Sequence, residues 1–493
     1  MALSISPPAL LPMGASMVID HSFPSLAMEI ISLTDYAGNK SHPNLYSRNL
    51  IENISNRTGK APVMRVGGTS GDHDYYNIHQ GASILPPTTP QPPLYGFTLG
   101  PTFFESFENF PGLNYTFMVP MAMSGDSASI DAVNMTKAAV EAIGLSHLDS
   151  LEIGNEPDLY PAQGVPGKAN YNVEKYVKQW VEHAANVNGN ITALDKRIYQ
   201  ALTYSSGVDF SVWNTSIAFQ DGIDKNENVK SVSFHHYQTI GNSGATFQNS
   251  LMNHADIVNG LSQFLAPISY LRSAHPQVPF HLGEVGSDLN SDNPNYIVGG
   301  AYGAALWAAD YMLLAMSMNV SRVHMQQVTG AAFSAWQPVH LNRTEIDAPH
   351  TRGPYYGMVL AADFIGTAPD FRVKNIQLKA ENLSAYAGYT SGFLAKIAII
   401  NLDVWNPKAG AKRPVQEVNL DLPEHVTTIE VQKLTGPGVD SFQNITYSGI
   451  EWTYENRGAG VMVVNSTEIL KVNKGTVDVN IQASEAIVVT LKQ

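Results

Sequence analysis

The chain has 493 residues, 44% hydrophobic and 15% charged, with a formal net charge of −14 and no cysteine. That length exceeds one ordinary core and predicts a large domain with a smaller one. The acidic balance, with no clustered Lys or Arg, argues against nucleic-acid and anionic-membrane partners, and the missing cysteines exclude disulfides, thiol catalysis and Cys-bound metals.

The opening run, MALSISPPALLPMG, has no basic region, and Pro7, Pro8 and Pro12 interrupt any apolar core, so it does not read as a secretory leader. Twelve Asn-x-Ser/Thr sequons, at Asn39, Asn53, Asn56, Asn114, Asn134, Asn190, Asn214, Asn319, Asn342, Asn382, Asn444 and Asn465, point instead to a secreted glycoprotein, a mature chain behind a new Met, a cytosolic protein being the alternative. Residues 1–15 are assigned a strand that joins the C-terminal domain.

From residue 16, β-rich runs alternate with helical patterns. Strands are expected over 23–31, 63–67, 115–121, 148–154, 197–204, 229–237, 279–285 and 322–328. Between them, Tyr46, Leu50, Ile51 and Ile54 share one helical face, and helical patterns cover 130–143, 172–186, 210–221, 248–274 and 298–318. The stretch after the second strand, with Pro86, Pro87, Pro90, Pro92 and Pro93, reads mostly as loop. The run 298–318 is about as long as a bilayer span, but it contains Asp310 and sits inside the repeating pattern, so a buried barrel helix is expected. Eight such units over 16–364 predict a closed TIM-type β/α barrel, an open doubly wound sheet being the alternative. From 365 to 493 only strands and turns follow, which predicts an antiparallel β-sandwich. Its basic turn, Lys408 to Arg413, reads as a solvated hairpin. The sandwich shows no aromatic run and is read as support for the barrel rather than as a polysaccharide binder.

Barrel active sites lie at the C-terminal ends of the strands. The fourth strand ends in Asn155 and Glu156, the fifth in Tyr204, the sixth in His235, His236 and Tyr237, and the seventh in Glu284; Trp336 follows the eighth. A lone Glu at a strand end reads as a salt-bridge partner. Two on opposite sides of a barrel mouth suit a pair flanking a glycosidic bond, where retention requires carboxyl groups ~5–5.5 Å apart. His235 and His236, considered with Asp72, His73 and Asp74 as metal ligands, are adjacent in a strand and face opposite ways, so no metal is assigned. No cofactor is expected.

NEP after an apolar fourth strand and an isolated Glu closing the seventh resemble the clan A retaining glycoside hydrolases. Within that clan, MRVGG at 64–68, IGNEPDLY at 153–160, FHHY at 234–237, LGEVG at 282–286 and AWQP at 335–338 resemble family 79, which includes fungal β-glucuronidases and heparanases. The resemblance implies Glu156 as acid/base, beginning the cycle protonated, and Glu284 as nucleophile. It also implies Asn155 on the sugar 2-hydroxyl and Tyr237 donating to Glu284. Arg65 is assigned to orient Glu284 or to balance charge, Tyr204 to the cleft or to packing, and Trp336 to a sugar platform or to the core.

The implied reaction is exo-acting hydrolysis of β-D-glucuronides. The sugar carboxylate would need local donors, which backbone N–H groups of 285–290, including Leu289 and Asn290, can supply. Where the family's glucuronidases place tyrosines for that group, this chain has Leu289 and Phe333, with Tyr296 as a substitute for one of them. A neutral β-glycoside such as a glucoside is therefore an alternative. An endo-acting heparanase-like enzyme is opposed by the acidic balance, and a carbohydrate-binding protein on an inactive barrel by the retained pair.

Overall fold

The computed structural model describes residues 3–492 except 124, 241–243, 290–295, 342–347, 408–409 and 411. Asn290, the sequon at Asn342, Lys408 and the Tyr296 side chain lie outside the described residues.

Eight parallel strands close into a barrel: Pro24–Glu29, Val63–Gly67, Asn114–Val119, Leu148–Ile153, Tyr199–Tyr204, Val229–Ile240, Phe280–Leu289 and Arg322–Gln327. Each overlaps an expected run, and the eighth pairs with the first from Val323↔Pro24 to Gln327↔Met28. Both faces are buried, the outward one apolar beneath the helices and the inward one largely polar, with Arg65, Glu152, Gln200, His281 and Gln326 inside the barrel. Helix boundaries follow from capping. Asn44 accepts from the Ser47 N–H to start Leu45–Thr58, and Gly59, at φ 76°, ends it. Asn172 accepts from the Lys175 N–H to start Val173–Asn190.

The long pattern at 298–318 becomes a short helix, Tyr296–Gly300, and a longer one, Tyr302–Ser317. The longer helix is apolar on every face because it is covered on every side. It packs against the helix Gly353–Ile365, where a Cβ on Gly353 would meet the Ala301 carbonyl oxygen at 2.0 Å and one on Gly357 the Ala305 oxygen at 2.5 Å. No helix among the described residues is long and apolar enough to cross a membrane.

Several expected segments are more broken than periodicity suggested. The pattern at 210–221 is helical only over Thr215–Gln220, and 248–274 splits into Phe247–Leu251, His254–Ser262 and Leu265–Ala274. The stretch after the second strand, expected to be mostly loop, contains the helix Gly68–His73 and a three-stranded sheet of Tyr75–Tyr76, Ile84–Leu85 and Thr98–Leu99. Strands of two residues leave no period to detect.

The C-terminal part is antiparallel apart from one parallel edge pair. A large sheet runs in the order Arg372–Ile376, Leu383–Thr390, Phe393–Asn401, Glu485–Lys492, Thr428–Thr435, then three short strands. A small sheet of Val415–Asp421 and Thr476–Gln482 takes Leu3–Ile5 as its edge, pairing Leu3↔Val418 in parallel. Val418, Leu420, Val477, Val479 and Ile481 of the small sheet face Ala385, Ile397, Ile399 and Val489 of the large one. The opposite face of the large sheet, with Tyr386, Ala398, Ile400 and Val488, joins the barrel's own core. Arg413, read as part of a solvated turn, instead donates to the Ala483 and Ser484 carbonyls at 2.7 and 2.6 Å and lies over the Trp405 ring.

Candidate active site

Beneath the barrel mouth the interior is polar. Arg65, on the second strand, is fully buried. Its guanidinium donates to Glu152 Oε1 at 2.8 Å, to Glu284 Oε2 at 2.7 Å and to Asn155 Oδ1 at 2.7 Å. Burial disfavours its charge, but Glu152 and Glu284 outweigh that and hold it protonated above the ordinary arginine range. Arg65 thus lies against Glu284, and its charge is matched by Glu284 and Glu152. Gln200 donates to the other oxygen of Glu152 at 2.5 Å and accepts from Ser231 at 3.0 Å, which completes the floor.

The fourth strand delivers Asn155 and Glu156 through a strained turn. Glu156 has φ 47°, and Leu202 and Thr203 beside it are also left-handed, at φ 75° and 54°. The Glu156 N–H donates to the Thr203 carbonyl at 3.0 Å, and Pro157 starts a single helical turn. Asp72 staples this turn to its neighbours. One carboxylate oxygen accepts from the Met121 and Ala122 N–H groups at 2.6 and 3.0 Å, and the other from the Asn155 N–H at 3.0 Å and the Tyr160 hydroxyl at 2.5 Å.

The sixth strand faces His235 inward and His236 outward, the latter onto the Tyr311 hydroxyl at 2.9 Å. His235 Nδ1 lies 3.0 Å from Glu156 Oε1 and 3.9 Å from Glu284 Oε2. One atom from each of Glu156, His235 and Glu284 lies within 4.8 Å of the others. This is the cluster in the site able to hold a cation, but Arg65 and Tyr237 already occupy the Glu284 oxygens. The Tyr237 hydroxyl donates to Glu284 Oε1 at 2.7 Å. Gly286 leaves room for that ring, since a Cβ there would lie 2.5 Å from Tyr237 Cε1. Burial pushes the Glu284 carboxyl up, yet His235, Arg65 and the hydrogen bonds from Tyr237 and Arg65 bring it below the ordinary glutamate value. For His235 burial works against protonation, and Glu284 and Glu156 reverse it, so its value is raised.

Glu29, which ends the first strand, was not singled out by sequence. Its Oε1 accepts from the Ser70 N–H at 2.7 Å and from the Ser70 hydroxyl at 2.5 Å. Burial first, and then the Glu284 charge, push it up to about 7. Gly68, at φ 89°, is required there: a Cβ would meet the Glu29 carboxylate at 2.3 Å. The available signal was an acidic residue closing an apolar strand, the same one that marked Glu284.

Two expected cleft residues lie elsewhere. Trp336 is fully buried, donates to Ser47 Oγ at 2.9 Å and packs against Tyr36 and Tyr355. Tyr204 is also fully buried, among Tyr176, Trp213 and Phe234 on the outer face of the barrel wall. Neither offers a face to a sugar. Phe333 stands at the cleft, edge-on to Tyr237 with ring centroids 5.5 Å apart, and Leu289 is exposed at the end of the seventh strand.

Residues 385–488 match the Glycosyl hydrolase family 79 C-terminal beta domain. A beta-glucuronidase of Aspergillus niger is 32% identical over 519 aligned residues, covering 99% of this chain and 94% of that protein. This chain belongs to glycoside hydrolase family 79. A second relative, a beta-glucuronidase of Neurospora crassa, is 28% identical over 93% of this chain and 90% of that protein. Among solved structures, a 4-O-alpha-L-rhamnosyl-beta-D-glucuronidase from Fusarium oxysporum superposes with a TM-score of 0.81 at 20% identity, covering 99% of this chain and 100% of that one. A GH51 arabinofuranosidase from Xanthomonas axonopodis shares the fold at a TM-score of 0.63 and 15% identity, over 97% and 98% of the two chains. The family 79 chain is thus a glycoside hydrolase, acting on carbohydrate.

Proposed function

We propose that this chain hydrolyses β-D-glucuronides with retention of configuration, through a covalent glycosyl-enzyme. The observation that carries the chemistry is the close carboxyl pair: oxygens of Glu156 and Glu284 lie within 4.8 Å, bridged by His235. This favours the short separation of retaining enzymes, ~5–5.5 Å, over the ~6.5–9.5 Å that leaves room for an activated water. Glu284, held ionised by Arg65 and Tyr237, attacks the anomeric carbon. Glu156 gives its proton to the leaving oxygen and then takes one from the incoming water, with His235 holding it in place. Asn155, itself oriented by Arg65, is assigned to the 2-hydroxyl. The barrel, 16–364, is the catalytic unit, and the sandwich, 365–493, together with the N-terminal strand, supports it. The twelve sequons support action outside the cell.

The sugar assignment rests on the curated relatives, both named beta-glucuronidase. One local feature favours a second reading, a neutral β-glucoside: Phe333 and Leu289 have no hydroxyl with which to bind a sugar carboxylate. The deciding experiment compares kcat/KM for 4-nitrophenyl β-glucuronide and β-glucoside. A site built to pair a carboxylate prefers the acid by at least ~10²-fold. Equal rates, or a preference for the glucoside, reject the glucuronide.

A further inference from the structure

Glu152, fully buried on the fourth strand, has no part in the mechanism above. Its Oε1 accepts from Arg65 Nε at 2.8 Å and lies 2.7 Å from Nη2. Its other oxygen accepts from the Gln200 amide at 2.5 Å. Gln200 is itself fixed, since its Oε1 accepts from Ser231 at 3.0 Å and lies 3.1 Å from His281 Nδ1. Both oxygens of this carboxylate are therefore committed inside the barrel.

Arg65 has two anionic partners, Glu152 on its Nε side and Glu284 on Nη1. Among the described residues no third acid touches it: Glu29 is turned to Ser70, and Glu156 to His235. Burial disfavours the guanidinium charge, and Glu152 comes before Glu284 among the charges that restore it. Glycosylation upsets that balance. A Glu284 oxygen bonds the anomeric carbon, the bond to the leaving oxygen breaks, and that oxygen takes the Glu156 proton. Negative charge thus passes from Glu284, against Arg65, to Glu156, against His235. With Glu284 alone as its partner, Arg65 would then be a buried cation with no anion in contact, a strongly disfavoured state.

We propose that Glu152 is a positioning residue, the permanent counter-ion of Arg65, which keeps that cation paired while Glu284 is bonded to the sugar. The proposal rests on Glu284 being the nucleophile. Without the Glu152 charge, Arg65 holds the free Glu284 carboxylate too firmly. Attack, which consumes that carboxylate's charge, becomes slower; release of Glu284 from the sugar, which restores the charge, does not. Protonation neutralises the same oxygen pair, so the two processes become harder together, by ~10-fold for each pH unit. The titratable groups facing Glu284 are Glu29 from the first strand, Arg65 from the second, Glu156 from the fourth, and His235 and Tyr237 from the sixth. Replacing Glu152 leaves all of them in place.

The test exposes the full chain to 2-deoxy-2-fluoro-β-D-glucuronyl fluoride, or to the glucosyl fluoride if wild type prefers glucosides. Loss of activity reads glycosylation, recovery after the reagent is removed reads deglycosylation, and peptide mass spectrometry locates the sugar. In Glu152→Gln, inactivation should slow by ~10-fold or more while reactivation holds or quickens, and the acidic limb of kcat/KM should move down by about one pH unit. Should that variant not fold, Glu152→Gln combined with Gln200→Glu takes its place. There the new amide donates to the new carboxylate, which still accepts from Ser231, and the charge stands one side chain further from Arg65. Inactivation should then slow by at least ~3-fold with reactivation unslowed, because the attraction weakens with distance. Sugar on Glu284 with both steps slowed alike, or with the limb unmoved or raised, overturns the proposal. Sugar on Glu156, or none bound to wild type, overturns the double-displacement reading and the counter-ion with it.

Discussion

The Tyr237 hydroxyl donates to Glu284 Oε1 at 2.7 Å while Arg65 holds the other oxygen of the same carboxylate at 2.7 Å. With His235 nearby, these contacts overcome the burial that pushes the carboxyl up and leave its value lowered. A group with a lowered value is ionised above it, so losing one donor raises the value and moves the acidic limb of kcat/KM to higher pH. Tyr237→Phe should shift that limb up by about one pH unit and lower kcat/KM by ~10- to 10²-fold, the range for a hydrogen bond to a charged group. A fall in rate with an unmoved limb would show that the hydroxyl serves the substrate and leaves the nucleophile's ionisation alone.

The two carboxylates are distinguished by chemical rescue. Glu284→Gln should abolish turnover of every substrate. Glu156→Gln should still be glycosylated by substrates with good leaving groups, and added azide, which needs no general base, should yield the β-glycosyl azide. Formation of the β-azide by Glu284→Gln, or of the α-azide by Glu156→Gln, would exchange the roles.

Asp310 fastens the barrel to the sandwich. Fully buried in Tyr302–Ser317, it accepts from His254 at 2.7 Å, Ser384 at 2.5 Å and Tyr386 at 2.6 Å, the last two on the strand Leu383–Thr390. Asp310→Asn should cost ~3 kcal/mol, as when one member of a buried charged network is removed. Burial pushes His254 down, but Asp310 outweighs it, and the net value is raised. A raised histidine contributes stability that is fully present below its unfolded value, ~6.5, and lost as pH rises through the folded one. Calorimetry should therefore find the gap in melting temperature between wild type and variant widest in mild acid and narrower in alkali. A gap that widens with pH would contradict the pairing.

The barrel was legible because each strand carries an apolar outer face bounded by turns, and the proposed carboxyl pair because position in such a barrel carries function. Side-chain direction was less legible. In Tyr199–Tyr204, Gln200 faces inward, and strict alternation would bring Tyr204 inward as well; the left-handed Leu202 and Thr203 break that period and turn it outward. Glu29 and Glu152 escaped notice because neither belongs to a motif, although Glu152 stands four residues before Glu156 on the same strand-end segment. In sequence His235 suggests only a metal ligand, because adjacency to His236 is visible there and its contact with Glu156, 79 residues away, is not.

Trp336 separates a packing role from a binding one. Its indole N–H donates to Ser47 Oγ at 2.9 Å, and its carbonyl accepts from the Tyr36 hydroxyl at 3.0 Å. The ring meets Tyr36 at 5.4 Å and Tyr355 at 6.2 Å, both edge-on, with no surface left to solvent. Trp336→Phe keeps the aromatic contacts in part, but it leaves the Ser47 hydroxyl without its donor and opens a small void, a cost of ~1–3 kcal/mol. Thermal unfolding should register that loss, while kcat/KM for an aryl glycoside stays within ~2-fold, because a buried ring offers no differential stabilisation to a transition state it does not touch. A drop of ~10-fold or more in kcat/KM with melting unchanged would place the ring in contact with substrate after all.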